Sequence, residues 1–341
     1  MSNARKLADN LPSVGQLTGR NVIVNGAMNI SQRGSSFVGI GNTYSLDRFA
    51  WYAQNTGSGW TLSQSSVTDL AGFGYALKVD CTTADTSTAS NEQAYVSYKA
   101  EGQDLQRFKK GHATALGFTL SFYVKTNKTG LYTVSMFDRD NTRKVNGSYT
   151  VADTNWNRYT ISFPADTTGK FDNNNASSLE IFFNLVAGSD TNTGTLYTTW
   201  QASADAGSTT GQVNFADSTS NDWEITGIQL EAGSQATPFE HEPHHVSLNK
   251  CLRYYFESKA TSSKPYVYAK NYQSTHRFYD HFYNVPMRAT PTVSTTYTNS
   301  AASSAPTEYH ANEYHWKAYT TGASDSANSA RLLTFKADAE L

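Results

Sequence analysis

The stretch FTLSFYVK, residues 118–125, places an apolar side chain at every second position. Successive side chains of a β-strand point to opposite faces of the sheet, so this period of two is typical of a strand with one face against a core. Residues 77–81, 159–163 and 179–185 have the same alternation. The four stretches predict a β-protein in which the apolar faces of several strands meet.

The region from Asn21 to about Glu240 contains about a dozen such runs, separated by turns rich in Gly, Asn, Asp and Ser. Aromatic residues make up 13% of the chain and charged residues only 16%, with 21 Tyr and 17 Phe. Because aromatic and β-branched side chains fit a pleated surface, this composition also favours strands. We therefore predict an antiparallel β-sandwich for this region.

The stretch DWEITGIQLEAG, residues 222–233, changes phase in its middle. Trp223 and Ile225 share one face, whereas Ile228 is out of phase with them. A β-bulge inserts one extra residue into a strand and so resets the register. We expect that bulge at Gly227.

The C-terminal third of the chain is organised differently. After a polar linker over residues 233–246, residues 247–257 have apolar side chains at helical spacing, with Ser247 as an N-cap. The rest of the chain returns to short strands. The fold class is therefore all-β with short helices, in three parts: an N-terminal attachment segment over residues 1–20, the sandwich over 21–242, and a helix with a second, smaller β-domain over 243–341.

The first segment, SNARKLADNLPSVGQ, carries apolar residues at helical spacing and is stopped by Pro12. A helix this short is marginal in water without a partner, so we expect it to dock on the body of the protein or on another subunit. The candidate assembly residues are the apolar residues of this helix and of the later one: Leu7, Leu11, Leu248, Leu252 and Tyr255.

Residues 239–248, FEHEPHHVSL, match a zinc-hydrolase signature, because His241, Glu242 and His245 have the H-E-x-x-H spacing. That motif needs a continuous helix through all five residues, and Pro243 lacks the N–H and clashes with the preceding turn. We therefore predict no metal site here and expect the histidines to belong to a linker.

Other signals of chemistry are missing from the sequence. It contains neither a G-x-S-x-G elbow nor a P-loop, and we expect no cofactor. Asp104, Asp138 and Asp140 are interpreted as turn-forming or solvated acids rather than as a glycosidase pair. The two cysteines, Cys81 and Cys251, lie far apart and predict neither a disulfide framework nor a zinc site.

The charge and hydropathy patterns bear on the partners. The net charge is −2 and no basic run occurs, which disfavours nucleic acid as a partner. The N-terminus lacks the apolar core of a signal peptide and no apolar stretch approaches transmembrane length, so we expect synthesis in the cytosol and no membrane partner.

Five of the six tryptophans, together with Tyr197, divide into two groups. Trp51, Trp156 and Trp223 lie in or beside alternating strands and are interpreted as core residues. A second group lies in glycine-rich or polar stretches, where binding loops are usually found. Such a ring can stack on a sugar or fold back to plug its loop, and the sequence leaves both alternatives open. The candidate ligand-binding residues are Trp60, Tyr197 and Trp200.

Six segments, taken in order, resemble tail-fibre-like virion proteins of tailed bacteriophages, including marine and cyanobacterial ones. The segments are RNVIVNGAMNISQRG (20–34), YSLDRFAWY (44–52), WEITGIQLEAGSQATPFE (223–240), LNKCLRYY (248–255), VPMRATPTV (285–293) and FKADAEL (335–341). The resemblance implies a carbohydrate-binding-like jelly roll followed by a smaller β-domain, and trimers are common among such fibres. It offers no catalytic residues.

The resemblance implies a virion protein, made in the host cytoplasm, whose partners are other virion proteins and further copies of itself. Three functions remain open. The chain is a non-enzymatic tail-fibre or adhesin subunit that attaches to a host surface polysaccharide, a structural connector or head-fibre component without receptor binding, or a glycan depolymerase. The last is the weakest because no carboxylate pair is evident.

Overall fold

The computed structural model describes residues 19–39, 41–54, 57–192, 195–202, 211–258, 267–268, 270–273, 276–298, 306–321 and 331–341. The predicted N-terminal helix, with Leu7 and Leu11, lies outside these residues. The chain folds into two compact units, one up to His244 and one from His245 onwards. The described part contains no helix with the length and apolarity needed to cross a membrane.

The first unit is an antiparallel jelly-roll sandwich of two sheets. The first sheet has, in spatial order, β1 (Ser36–Val38), β4 (Gly59–Ser66), β5 (Tyr75–Thr83), β13 (Asp222–Ala232), β7 (Phe118–Thr126) and β10 (Asn157–Phe163). The second sheet has β12 (Gln201–Ala202), β9 (Arg143–Val151), β8 (Gly130–Asp138), β11 (Ser177–Ala187), β6 (Gln93–Glu101), β3 (Phe49–Gln54) and β2 (Thr43–Tyr44). Short 3-10 helices span Gly102–Phe108 and Phe215–Asp217.

The four alternating stretches form β7, β5, β10 and β11, as predicted, and their apolar residues belong to one core cluster. Trp51 and Trp223 are buried in this core, which confirms their interpretation. Trp156 is half-buried instead, and its Nε1 donates to Asp69 Oδ1 at 2.9 Å. The fold is thus the predicted all-β sandwich, with a single large core between its sheets.

The predicted bulge in β13 is confirmed. The pairing of β13 with β7 shifts register between Thr226 and Gln229, and Gly227 has a φ of +62°. A Cβ at Gly227 would lie 2.8 Å from both Phe73 Cζ and Tyr123 Cδ2. The position therefore needs glycine for its left-handed backbone and for the close approach of two rings.

The three N-terminal segments that carry the resemblance meet in space. Asn21 Oδ1 accepts from Leu230 N at 3.0 Å, and Asn21 Nδ2 donates to Ile228 O at 3.0 Å. The side chain of Asn25 donates to the carbonyl of Asp47 at 3.0 Å. These amide side chains join the start of the chain to β13 and to the turn before β3.

Glu240, the last residue of the third segment, completes this junction. Its carboxylate accepts from the backbone N–H of Arg20 at 2.7 Å and of Asn21 at 3.0 Å. Burial opposes its ionisation, but the backbone N–H groups outweigh burial and lower the pKa of Glu240. The segments therefore encode a structural junction rather than an exposed surface.

The second unit has two four-stranded sheets. In the first, β21 (Arg331–Asp338) pairs with β14 (Tyr255–Glu257), β15 (Val267–Tyr268) and β18 (Thr292–Thr298). The second has, in spatial order, β16 (Lys270–Gln273), β17 (His276–Phe282), β20 (His315–Thr321) and β19 (Thr307–Ala311). Tyr279, Trp316 and Phe335 contribute to its core.

The predicted helix starts and ends earlier than expected. Helix α1 spans His244–Leu252, and residues 255–257 form β14. The missing N–H of Pro243 costs nothing just before a helix, so the helix begins directly after it instead of at Ser247. Leu248 and Leu252 are half-buried and their assembly role stays a prediction, whereas Tyr255 is only 4% exposed and offers little surface to a partner.

The three C-terminal segments that carry the resemblance also meet. Arg288 Nε donates to Ala339 O at 2.7 Å, and the backbone N–H of Arg288 donates to Arg253 O at 2.7 Å. Ala339 N donates to Tyr254 O at 2.8 Å. Each unit therefore has its own junction, built from segments that are distant in sequence.

Candidate functional site

Trp60 lies on β4 and points into the core, with 3% of its surface exposed. Its ring stacks on Phe215 with the centroids 5.9 Å apart, and it packs against Trp51 at 5.1 Å. A ring covered on both sides has no face for a ligand. This burial corrects the predicted ligand contact at Trp60. The ring folds back into the protein instead of being free to stack on a sugar.

Trp200 is also folded back, with 7% of its surface exposed. Its ring packs on Phe118 at 5.7 Å, and Nε1 donates to Pro164 O at 2.9 Å. The ammonium of Lys110 lies 5.0 Å from its ring centroid. Trp200 therefore covers a buried cation, which corrects its predicted role as a sugar platform.

The buried ammonium of Lys110 is enclosed by oxygen atoms. It donates to the carboxylate of Asp138 and to the carbonyls of Thr168 and Gly169, at 3.0 and 2.8 Å, and forms an ion pair with Asp166 Oδ2 at 3.0 Å. Lys110 is 4% exposed and Asp138 is fully buried. Both charges of the pair are compensated by their neighbours, so the network is a structural one and not an open reactive site. It joins the loops at one end of the sandwich.

Asp166 receives a second cation. Arg143 Nε and Nη2 donate to its two oxygens at 2.7 and 3.1 Å. Burial opposes ionisation of Asp166, but the hydrogen bonds from Arg143 and Lys110 outweigh burial and lower its pKa. The carboxylate is thus held ionised as a structural group.

The acids considered for a glycosidase lie in turns. Asp138 Oδ1 accepts from the backbone N–H of Asp140 at 3.0 Å, and Asp140 accepts from the backbone N–H of Asp172 at 2.9 Å. Asp104 lies in the first turn of a 3-10 helix and is exposed. The turn-forming interpretation is confirmed for Asp138, which bonds the turn that follows its own strand.

The H-E-x-x-H match does not form a metal-binding helix. Helix α1 begins at His244, so His241 and Glu242 precede it. The ring of His241 packs against Phe73 at 5.2 Å and Phe239 at 4.9 Å. Within the residues that the structure describes, no group of three His, Cys, Asp or Glu side chains is arranged to hold a metal ion.

Tyr197 is the one predicted ligand residue that keeps partial exposure. Its backbone carbonyl accepts from Asn146 N at 2.7 Å, and Lys144 Nζ lies 4.8 Å from its ring centroid. Both partners belong to β9. Tyr197 therefore lies beside the seven-stranded sheet, and the structure does not group it with the buried Trp60 and Trp200.

The outer side of the seven-stranded sheet carries a row of aromatic rings across three adjacent strands. On β3, β6 and β11, Tyr52, Tyr95 and Phe182 alternate with buried core residues. Tyr52 is the direct partner of Tyr95, and their rings stack with centroids 4.7 Å apart and an interplanar angle of 14°. Phe182 meets Tyr95 edge to face at 4.8 Å. Tyr52 and Tyr95 are half-buried, so the pair keeps part of its surface in solvent, whereas Phe182 is only 5% exposed and supports Tyr95 from the side.

The row continues into a group of amides and hydroxyls. Ser135 is the direct partner of Phe182, and its Oγ accepts from Asn146 Nδ2 at 2.7 Å and Asn184 Nδ2 at 3.2 Å. Asn184 is paired with Tyr95 on β6. These polar groups are buried and bond one another, so they support the sheet beside the aromatic rings.

An ion pair borders the rings. Arg139 Nη1 lies 2.5 Å from Glu180 Oε2, and the Arg139 side chain is 45% exposed. Burial raises the pKa of the Tyr95 phenol, and the nearby Glu180 carboxylate raises it further, so Tyr95 stays a neutral hydrogen-bonding group. We call this surface the Tyr95 face; its members are Tyr52, Tyr95, Arg139, Glu180, Phe182 and Asn184.

The sequence contained a signal for the Tyr95 face that loop-based reasoning missed. In the stretch EIFFNLV, residues 180–186, the core phase holds Ile181 and Phe183, so Phe182 falls on the outer side. Tyr95 falls in the outer phase of β6 in the same way. An aromatic residue in the outer phase of a strand marks a candidate binding surface, although only strand pairing brings such residues together.

Comparison with known proteins gives fold-level likeness only. No protein-family model and no curated protein matches the chain. Among solved structures, it is similar to the family 11 carbohydrate-binding module from Clostridium thermocellum in complex with a β-1,3-1,4-mixed-linked tetrasaccharide. That match has 12% identity and a TM-score of 0.29, and covers 61% of this chain and 98% of that chain.

Two further neighbours have similar values. A family 61 module in complex with β-1,4-galactotriose has 8% identity and a TM-score of 0.32, and covers 63% of this chain and 99% of that chain. The xylan-binding domain of Xyn10C from Paenibacillus barcinonensis has 13% identity and a TM-score of 0.28, with 59% and 94% covered. The fold assignment itself rests on the strand order and register of this chain.

Proposed function

We propose that the chain is a non-enzymatic tail-fibre or adhesin subunit of a tailed-bacteriophage virion, and that its Tyr95 face contacts a host surface polysaccharide. The observation that carries the binding part of this proposal is the stacked pair of half-buried rings of Tyr52 and Tyr95 on the outer side of the sheet, next to the exposed side chain of Arg139. The virion half rests on the six ordered segments of the sequence.

A saccharide fits the chemistry of the Tyr95 face. Sugar rings have apolar C–H faces that pack on phenol rings, and their hydroxyl groups exchange hydrogen bonds with amides and carboxylates. Tyr95 supplies ring and phenol, while Arg139, whose side chain is 45% exposed and is held by the buried Glu180, supplies donors at the border. Stacking on one ring contributes about 1 kcal/mol, so a single face binds weakly.

Weak sites suit a multivalent particle. We propose a homotrimer, in which three copies of the Tyr95 face raise the apparent affinity through effective concentration. Further partners are other virion proteins, reached through the N-terminal segment. The chain acts as part of the virion after synthesis in the host cytoplasm.

The binding proposal is tested on an array of defined bacterial and plant glycans with the full chain. We expect Tyr95→Ser to weaken binding about fivefold, the effect of losing about 1 kcal/mol, and Tyr95→Phe to keep most of it. Tyr75→Ser is the matched control, because Tyr75 is 41% exposed on the other sheet. Equal binding by Tyr95→Ser and Tyr75→Ser would remove the Tyr95 face from the proposal.

The proposed place of the chain in a virion needs a separate measurement. Electron microscopy of phage particles that encode the chain, labelled with an antibody against it, is expected to show label on a tail appendage. Label on the head would favour a head fibre, and unlabelled particles would overturn the virion assignment.

A structural connector is the second candidate function, and one observation favours it. The segments that carry the resemblance form the junctions around Asn21 and Arg288, and only the edge of one of them reaches the Tyr95 face. Under this alternative, a phage with Tyr95→Ser adsorbs normally, whereas disruption of a junction prevents its assembly. A reducing-end assay on any bound polysaccharide distinguishes the adhesin from a depolymerase, which would release new ends.

A further inference from the structure

In the four-stranded sheet of β16, β17, β20 and β19, the described side chains of β17, β19 and β20 divide between one buried and one open face. Tyr279, Trp316 and Ala318 point to the core of the second unit and are at most 2% exposed. The residues between them point the other way. We call this open side the Phe282 face; its members are Phe278, Asp280, Phe282, Tyr309, His315 and Lys317.

Phe282 presents one side of its ring to solvent. It is the direct partner of His315, and the two rings stack with centroids 4.4 Å apart and an interplanar angle of 22°. The imidazole of His315 covers one side of the ring, and 69% of Phe282 is still exposed. The imidazole thus fixes the orientation of a phenyl face that stays open.

A second ring lies towards the other end of the face. Phe278 meets Tyr309 edge to face at 6.0 Å, and Lys317 Nζ lies 4.8 Å from the Phe278 centroid. Tyr309 is 66% exposed. Residues 278 and 282 are four apart on one strand, which separates them by about 13 Å at the usual rise of a strand.

A carboxylate lies between the two rings. Asp280 is the direct partner of Lys317, and its Oδ1 lies 2.7 Å from His315 Nε2. The Asp280 side chain remains 43% exposed. The Asp280 carboxylate therefore lies between the aromatic ends of the face, and the Lys317 ammonium lies against the rings of Phe278 and Tyr309 at one end.

We propose that the Phe282 face is a second saccharide-binding site, independent of the Tyr95 face, and that it takes an extended oligosaccharide. The centres of protein–protein interfaces are depleted of charged residues, whereas this face has an exposed carboxylate, that of Asp280, between its aromatic ends. Small-ligand sites combine apolar surface with a few placed polar groups, as here. A saccharide meets both requirements, because its C–H faces cover Phe282 and Tyr309 while its hydroxyls bond Asp280 and Lys317.

The test uses the full chain on the same glycan array, with Phe282→Ser/Tyr309→Ser as the variant. Both side chains are mostly exposed, so their loss leaves the core intact. Tyr314→Ser is the matched control, because Tyr314 is 62% exposed in the turn between β19 and β20, outside the face. A thermal unfolding curve for each protein verifies that it is folded.

We expect the double variant to lose at least tenfold in binding to a set of glycans that Tyr95→Ser still binds and that Tyr314→Ser binds like the parent chain. If every bound glycan depends on Tyr95 alone, the second site is refuted while the proposed function stands. Absence of any bound glycan overturns both. If light scattering shows that the double variant turns an oligomer into monomers with unchanged glycan binding, the face is a subunit interface and the proposal is wrong.

Discussion

Asn21 Oδ1 accepts a hydrogen bond from the backbone N–H of Leu230 at 3.0 Å, across more than two hundred residues of sequence. The same side chain donates to Ile228 O at 3.0 Å and accepts from Ile23 N at 2.9 Å. One amide therefore satisfies three backbone groups where the first described residues meet β13. No other residue type offers both a donor and an acceptor at this length except Asp in its protonated form.

Replacement of Asn21 is expected to destabilise the first unit. Asn21→Ala leaves partly buried backbone groups of Ile23, Ile228 and Leu230 without their partner, at a cost of about 2–3 kcal/mol. Urea unfolding of the full chain measures this loss. Asn173→Ala, at an exposed position, is the control and is expected to change the unfolding free energy by less than about 0.5 kcal/mol. Equal stability of the two variants would contradict the junction.

Gly227 is the second position where a small change is expected to have a large effect. Gly227→Ala places a methyl group against Phe73 and Tyr123 in a left-handed backbone, so we expect a loss of about 2 kcal/mol or more. Gly74→Ala is the matched control, since a Cβ there meets nothing within 4 Å. The melting temperature of each variant is the measurement, and a parent-like value for Gly227→Ala would show that β13 has no obligatory bulge.

The architecture of the first unit could be predicted because its signal is periodic. Residues 118–125 and 179–185 alternate cleanly, and each became a strand with its apolar face in the core. The bulge at Gly227 could also be predicted, because a shift of one residue in the pairing moves every side chain to the other face and changes the phase of the alternation. The predicted start of α1 at Ser247 is wrong, because Pro243 and Ser247 each favour the start of a helix and the sequence does not decide between them.

The site could not be predicted in the same way. Trp60 and Trp200 lie in polar stretches, yet both rings turn back into the core, and burial depends on neighbours that are distant in sequence. Tyr52, Tyr95 and Phe182 come from three strands, and their grouping follows from pairing that no local pattern reveals. The position of Lys110 beneath Trp200 depends on tertiary packing for the same reason.

The buried ammonium of Lys110 gives a third prediction. Lys110→Met leaves Asp138 without its cation and Asp166 with only Arg143, so we expect a loss of about 3–5 kcal/mol, the usual cost of breaking a buried ion pair. The neighbouring Lys109→Met is the control, because Lys109 is exposed. Denaturant unfolding of both proteins is the measurement, and similar midpoints would mean that the Lys110 network does not stabilise the parent chain.

The last prediction concerns pH and the second unit. His281 packs between aromatic rings, with centroids 5.0 Å from Phe256 and 4.8 Å from Phe335. Burial, and secondarily the charge of His315, lowers the pKa of His281 to about 4 from an ordinary value of 6.5. The unfolded chain therefore binds a proton in the window from pH 6.5 down to 4, whereas the folded chain does not.

This difference in proton binding makes the second unit less stable as the pH falls. The stability contributed by neutral His281 is complete above pH 6.5 and is lost as the pH falls towards 4, by about 2 kcal/mol once partial exposure is considered. His281→Phe keeps an aromatic ring and removes the proton, so we expect a shallower fall of the unfolding free energy over this window. His112→Phe, at an exposed position of the first unit, should retain the slope of the parent chain. If His281→Phe and His112→Phe lose stability in parallel between pH 6.5 and 4, His281 does not control the acid sensitivity of the second unit.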